Sequence, residues 1–399
     1  MEATTKKNYN RYGDGSIYQR KDGYFVAKYK PNNNAKPIIR YAKTEKGAKE
    51  KLKELKRLET LGVKNSNQKL DFLFMDWLVT FRKPALKPQS FDRVERMYLC
   101  HIQPSLGDYQ IHQIDDTMLQ RLIVQKGGEL GHKTLSSLNG LLKSFFDYIS
   151  RKKIIEDNPM LTVVMPKECH TVQKYNPIYF LELDEIARLE VAIETEITNA
   201  WKNDSWNSMV AKYGYIVLFM LNCGVRKGEM LGLAWSDLSE SQKKISITKN
   251  LGLVKNRNQK ASEPSNVWYM GSPKSKSSIR EIAFNRKARY YMQELKRVHQ
   301  HLGYKDKRHI ARTPNGEPLS KSTWNRLMIQ VCQLAQIDKP ISPHELRHTF
   351  ATVALRRGVE IMVVSKMLGH SSIEQTYKYV HLMKDISEQA DDLLECLIP

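Results

Sequence analysis

The sequence predicts an α+β multidomain chain. It reads as a small three-stranded β-sheet plus helix, then an all-helical domain, then a mainly helical domain with a small β-sheet. Three observations predict this. Residues 16–41 hold three short β-like runs, residues 70–159 repeat apolar side chains at helical spacing, and helical periodicity returns near Tyr179 around one hairpin-like stretch. A length of 399 residues suits two or three domains.

The β-like runs are Ser16–Arg20, Tyr24–Lys30 and Pro37–Tyr41, with Lys21-Asp22-Gly23 as a turn. In the second run Tyr24, Val26, Lys28 and Lys30 share one face, and Phe25, Ala27 and Tyr29 the other. Thr44 can cap a following helix whose one face carries Ala48, Leu52, Leu55 and Leu58, and Gly62 can stop it. Asn65–Gln68 is a polar linker. Phe72, Met75, Leu78 and Val79 recur at helical spacing, and Leu135, Leu138, Leu142, Phe145 and Ile149 give a clear amphipathic helix. Asn158-Pro159 ends this unit. The expected divisions are 1–64, 65–160, a linker at 161–176, and 177–399. In the last, Leu183, Ile186 and Leu189 mark the first helix. Pro273-Lys274-Ser275-Lys276 followed by Ile279-Arg280-Glu281-Ile282 reads as a hairpin.

The chain carries 64 Lys+Arg against 43 Asp+Glu, a formal net charge of +21. Residues 1–64 hold 17 of the former and 7 of the latter, so about half of the excess lies in the first sixth. Such a balance predicts a polyanionic partner. An anionic membrane is the other candidate, but the longest apolar run, Tyr215–Leu221, is too short to span one, and no membrane partner is expected. No secretory h-region follows the first charges, so a cytoplasmic, nucleoid-associated protein is expected. Five scattered cysteines (Cys100, Cys169, Cys223, Cys332 and Cys396) without a CxxC pair read as reduced thiols rather than disulfides or zinc ligands.

Three motifs carry chemistry. They are Gly224-Val225-Arg226-Lys227-Gly228-Glu229, His344-Glu345-Leu346-Arg347-His348, and Leu368-Gly369-His370 with Tyr379 nine residues on and His381 two more. In this order at the end of a basic chain they resemble the tyrosine recombinases, the lambda-type integrases of phages and conjugative transposons. The resemblance covers nearly the whole chain. It implies a site-specific DNA recombinase that integrates and excises a mobile element through a covalent 3′-phosphotyrosyl intermediate. That bond stores the phosphodiester energy, so neither ATP nor metal is implied and no cofactor is expected.

The residue types suit that chemistry. Arg226 and Arg347 offer planar, permanently charged donors to the phosphate oxygens of a strained transition state. Glu229 lies one turn from Arg226 and can orient it. A tyrosine of pKa about 10 needs a base or cationic surroundings to attack. Tyr379 is the expected nucleophile by its spacing from Leu-Gly-His, with Tyr377 as rival. His344 is the expected base, His370 a hydrogen-bond donor to phosphate or tyrosine, and His348 a brace for its helix. The resemblance implies a general-acid lysine on the hairpin turn. Lys274 aligns best, and Lys276 stays open.

His344-Glu345-Leu346-Arg347-His348 also spells H-E-x-x-H, a zinc pattern. Pro343 fits it poorly, a guanidinium beside zinc is electrostatically costly, and no third ligand follows at the expected offset, so no metal is expected and Glu345 is read as exposed. The N-terminal sheet resembles the arm-binding domain of such integrases, with Tyr18, Arg20, Lys21, Lys28, Lys30 and Arg40 as candidate DNA contacts, the contacting face open. Residues 65–160 resemble their helical (SAM-like) core-binding domain. The stretch 237–273, with Lys255, Arg257 and Lys260, reads as a DNA-contacting insertion or a plain loop. The tail from Lys384 turns acidic, with Leu393, Leu394, Leu397 and Ile398 as an apolar face, and the family implies docking on a neighbouring subunit. Expected partners are therefore double-stranded DNA at core-type and arm-type sites, three further copies in a tetramer, and a directionality factor. A type IB topoisomerase shares the chemistry but lacks an arm-like domain, and a purely architectural DNA-binding protein needs no nucleophile.

Overall fold

The computed structural model describes residues 15–20, 23–29, 38–60, 68–172, 178–259, 263–273 and 276–380. The chain divides into two compact units, residues 1–175 and 176–399.

In the first unit β1 (Ser16–Gln19), β2 (Phe25–Tyr29) and β3 (Ile38–Ala42) form an antiparallel sheet with β2 central. Gly23 takes φ +85°, open to glycine at little cost, and its N–H donates to the Arg20 carbonyl at 3.0 Å. Lys21 and Lys30 lie outside the described residues, as does Gly62. Helix α1 (Glu45–Thr60) starts where expected, with the Gly47 N–H donating to Thr44 Oγ1 at 3.1 Å. Ala27, Ala42 and Ala48 form a small core with Ile17, Phe25 and Leu52, so α1 covers the Phe25/Ala27 face. The other face presents Tyr18, Val26 and Tyr41 in cross-strand register. The two tyrosines flank Val26, which is buried on a face that α1 does not cover.

The same unit continues with α2 (Leu70–Trp77), a π-helical turn (Leu78–Arg82), α3 (Pro88–His101), α4 (Gln103–Leu106), α5 (Asp116–Gly127) and α6 (His132–Arg151). The amphipathic stripe of α6 is buried as expected. Helix α2 is phased differently from the expected set Phe72, Met75, Leu78 and Val79. Its core stripe is Leu70, Phe74, Trp77 and Leu78, while Phe72 is 62% exposed and Val79 is exposed too. At about 100° per residue the i, i+4, i+7, i+8 set shares one face and Phe72 points away from it. Phe74 stacks on Tyr98 at 4.2 Å between centroids and meets Phe145 at 4.4 Å, which fixes that phase. The stretch expected as a linker is held to this unit as far as residue 172. Gln120 bonds both the N–H (2.8 Å) and the carbonyl (3.0 Å) of Val164, and Val163 and Met165 pack on the helical core.

The second unit runs α7 (Leu183–Asn203), α8 (Met209–Cys223), α9 (Lys227–Gly232), β4 (Leu238–Ser239), β5 (Lys244–Ile247), β6 (Asn250–Lys255), β7 (Asn266–Gly271), β8 (Arg280–Ala283), α10 (Arg286–His301), α11 (Lys321–Leu334), α12 (Pro343–Arg356), α13 (Ile361–Leu368) and α14 (Glu374–Val380). Helix α8 is apolar almost all round because α7, α10, α11 and α12 surround it. The hairpin expected at 273–282 is arranged differently. Strand β8 pairs with β5 in the sheet β4-β5-β8, whereas β7 pairs with β6 in a separate ribbon. The stretch read as an insertion or loop thus holds β4, β5 and the β6–β7 hairpin, which rests on α9 through Asn250 and Leu251. Among the described residues no helix is long and apolar enough to cross a membrane, and Cys100, Cys169, Cys223 and Cys332 are free thiols. Residues 381–399, with Cys396, His381 and the acidic tail, lie outside the described residues.

Candidate active site

Four chain segments of the second unit meet at the C-terminal end of α13. The first is the exit of α8. Gly224 caps that helix at φ +61°, and an added Cβ there would lie 2.5 Å from the Phe350 ring, so the position admits glycine alone. The turn delivers Arg226 to the start of α9. Glu229, three residues on, accepts the Arg226 backbone N–H at 2.9 Å and its Nη1 at 2.8 Å. The second is α12, which opens with Pro343 and a capping box in which Glu345 accepts the Ser342 N–H at 2.9 Å and its hydroxyl. Glu345 is half-buried in that cap rather than exposed, and His344, Arg347 and His348 follow on the same helix. The third is the end of α13 at Gly369 (φ +67°), which leads to His370. The fourth is α14, which carries Tyr379.

Arginines bind these segments together. The last carbonyls of a helix lack intrahelical partners and carry its negative pole. Here three consecutive carbonyls are each capped by a different arginine. Arg280 Nε donates to Met367 O at 2.6 Å, Arg347 Nη2 to Leu368 O at 2.7 Å, and Arg226 Nη2 to Gly369 O at 3.2 Å. Arg347 is 1% exposed and also donates to Gly224 O at 2.8 Å. Burial, then neighbouring Arg226, lowers its pKa to about 9, with Glu229 opposing. Glu229 is buried, which alone would raise its carboxyl. The paired Arg280 and Arg226 hold it below the usual carboxylate range instead. Three guanidiniums around Glu229 leave the cluster net cationic, suited to an anion with several oxygens.

Tyr379 is fully buried, and its hydroxyl lies 2.7 Å from His348 Nδ1. Burial pushes the phenol up to about 12, while Arg347 and Arg226 draw it down. His348 is pushed down to about 3 by burial, then by His344, Lys378, Arg347 and His370. His370 falls to about 3 by burial, then by Arg347 and Arg226. Neutral His348 with its proton on Nε2 leaves Nδ1 to accept from the phenol. His370 Nδ1 lies 2.8 Å from Thr376 Oγ1, and its ring is 6.3 Å from that of Tyr379, nearly parallel.

The structure therefore brings together Arg226, Glu229, Arg347, His348, His370 and Tyr379. His344 is exposed, its ring 4.2 Å from that of His348, and it is His348 rather than His344 that touches the phenol. Tyr377 is 49% exposed on the far side of α14, since two residues turn a helix by about 200°. Lys274 lies outside the described residues. Lys276 falls in a short 3₁₀ turn, and its side chain is outside them as well. Arg280 escaped the sequence reading. Strand alternation was the available signal, because Ile282 is a core residue and Arg280 shares its face. The cluster His344, Glu345, His348 does not form a metal-ligand group among the described residues.

In the first unit Tyr18, Arg20 and Lys28 lie on the open sheet face, with the Arg20 guanidinium 5.6 Å from the Tyr41 ring centre. Arg40 pairs across from Ala27 and so lies on the face toward α1.

Residues 180–385 match the phage integrase family, and residues 70–126 match the N-terminal SAM-like domain of phage integrases. The chain belongs to the phage integrase family and is a tyrosine-type site-specific recombinase. It is 27% identical over 385 residues to a XerC-like tyrosine recombinase of Caldanaerobacter subterraneus, covering 90% of each chain. A tyrosine recombinase of Agathobacter rectalis is 28% identical over 256 residues, 63% of this chain and 72% of that one. Among solved structures, the Tn1549 transposon integrase in complex with transposon right end DNA superposes with TM-score 0.61 at 20% identity, over 83% of this chain and 100% of that one. The lambda integrase dimer bound to a core site gives 0.53 at 14% identity, over 94% and 96%.

Proposed function

We propose that the protein integrates and excises a mobile genetic element, cutting and rejoining DNA through a 3′-phosphotyrosyl bond. The carrying observation is the convergence of Tyr379 with Arg226 and Arg347 at one cationic helix end. In this reading Arg226 and Arg347 grip the scissile phosphate, and the Tyr379 oxygen attacks phosphorus. His348 takes the phenolic proton, with His344 close by to relay it. His370 donates to a phosphate oxygen, and Lys274 or Lys276 gives the leaving 5′ oxygen its proton. The arginines stabilise the added charge of the pentacoordinate state, the largest contribution such a site can make.

Residues 1–64 would read arm-type DNA through the open sheet face, and the helical part of 65–160 would hold the core-type site. Related solved structures support the strand exchange in this proposal. Tn1549 integrase has been solved with a circular intermediate DNA, and lambda integrase as a tetramer on a Holliday junction. A tetramer joined by exchange of the acidic tail, assisted by a directionality factor, fits the same scheme. The test is a suicide duplex carrying the joined ends of the DNA that flanks the coding region. The unaltered chain should become covalently attached to it, and on two such sites should exchange strands. Plasmid relaxation without exchange would instead mark a topoisomerase.

A further inference from the structure

We propose that Arg280 is a positioning residue for strand cleavage, acting through Glu229 and the Met367 carbonyl on Arg226 and the Gly369-His370 turn. The inference rests on the reading that Arg226 grips the scissile phosphate.

Arg280 belongs to β8, outside all three motifs, and its side chain is 6% exposed. Its guanidinium meets the Glu229 carboxylate by two parallel bonds, Nη1 to Oε1 and Nη2 to Oε2, each 3.0 Å. Bidentate pairing of this kind fixes both partners in one plane. The same guanidinium also donates to Met367 O at 2.6 Å and Ser278 O at 3.0 Å. One side chain thus ties the first motif to the third. It also lies against the turn itself, since a Cβ on Gly369 would come within 3.0 Å of Arg280 Cδ.

Glu229 sits between two guanidiniums and accepts from both. With Arg280 present, the trio Arg226, Glu229 and Arg280 carries net +1, and the carboxylate is shared. Without Arg280 the buried carboxylate has Arg226 as its remaining cationic partner in this trio. It would neutralise that guanidinium and draw it from the phosphate. Ser278, in the 3₁₀ turn just before β8, supports the geometry, as its Oγ donates to Gly369 O at 3.4 Å, the carbonyl that Arg226 also holds.

The experiment uses the full chain and a nicked duplex probe, cut from the stretch that the chain protects most strongly in a footprint of the DNA flanking its coding region. The rate of covalent attachment is read at saturating DNA, beside DNA affinity and thermal unfolding. Arg280→Gln should slow attachment roughly a hundredfold, as loss of a transition-state donor does, with affinity within about threefold. Arg280→Lys should recover part of the rate. Glu229→Gln combined with Arg280→Gln should be at least roughly tenfold faster than Arg280→Gln alone, because the trio returns to net +1. A purely structural role predicts the opposite, a double variant as slow as or slower than the single one, and that result overturns the inference. An unchanged rate in Arg280→Gln, or affinity falling in step with rate, also overturns it. Should Arg280→Gln fail to fold, the lysine and double variants decide on the same readouts. No attachment by the unaltered chain overturns the reading of Tyr379 itself, and this inference with it.

Discussion

The Tyr379 hydroxyl rests 2.7 Å from His348 Nδ1, and both side chains are buried. A phenol pushed up to about 12 is held by an imidazole pushed down to about 3. The pair is therefore a neutral donor and a neutral acceptor near pH 7, poised for one proton to move.

His348→Gln should slow covalent attachment by about a hundredfold or more, the usual contribution of a general base, while DNA affinity stays near that of the parent. Single-turnover attachment at saturating DNA measures it. A similar loss for His344→Gln with little effect of His348→Gln would return the base role to His344.

Tyr379→Phe should bind DNA as the parent does and form no covalent adduct, whereas Tyr377→Phe should form it at the parent rate. A denaturing gel of the suicide-substrate reaction reads both. Tyr377 faces outward from α14 while Tyr379 faces the arginines.

Gly224→Ala should cost about 2–4 kcal/mol, combining a left-handed backbone position with overpacking against Phe350. Urea denaturation is the measurement. Because Gly224 O accepts from Arg347, cleavage should fall with stability.

Acid should weaken the fold through its histidines. In the unfolded chain His348 and His370 protonate near their ordinary value of about 6.5, but in the folded chain only near about 3. Between these limits the unfolded state binds more protons, so stability present above about pH 6.5 is lost as pH falls through the window. His344, Lys378 and Arg347 around His348 all oppose its charging. Denaturation midpoints between about pH 6.5 and about pH 5, where carboxylates titrate little, should slope less in His348→Gln than in the parent.

DNA binding should fall roughly a thousandfold or more between about 50 and about 200 mM salt if about six phosphates are neutralised. A filter-binding titration tests this. A flat response would remove the polyanion as main partner of a chain with net charge +21.

Much of this was legible because local rules governed it. The Thr44 cap, the α6 stripe and the three N-terminal strands follow from residue type and period. The phase of α2 was not, because its burial is decided by Tyr98 and Phe145, residues far along the chain. Strand pairing failed for the same reason, since β8 takes β5 as its partner across the whole β6–β7 ribbon. At the site, the motifs supplied Arg226, Arg347, His370 and Tyr379 as candidates. Which histidine faces the phenol depends on the rotation of α12 against α14, and this no spacing reveals.

The three capped carbonyls at the end of α13 have an evolutionary consequence. Each arginine there is also mortar between elements, so discarding one loosens the domain as well as its chemistry. A descendant that abandoned strand breakage and kept only its grip on DNA would shed the phenol first. Its guanidiniums should outlast it by selection for foldedness alone. Their presence in a relative lacking a tyrosine at this place would thus record ancestry rather than activity.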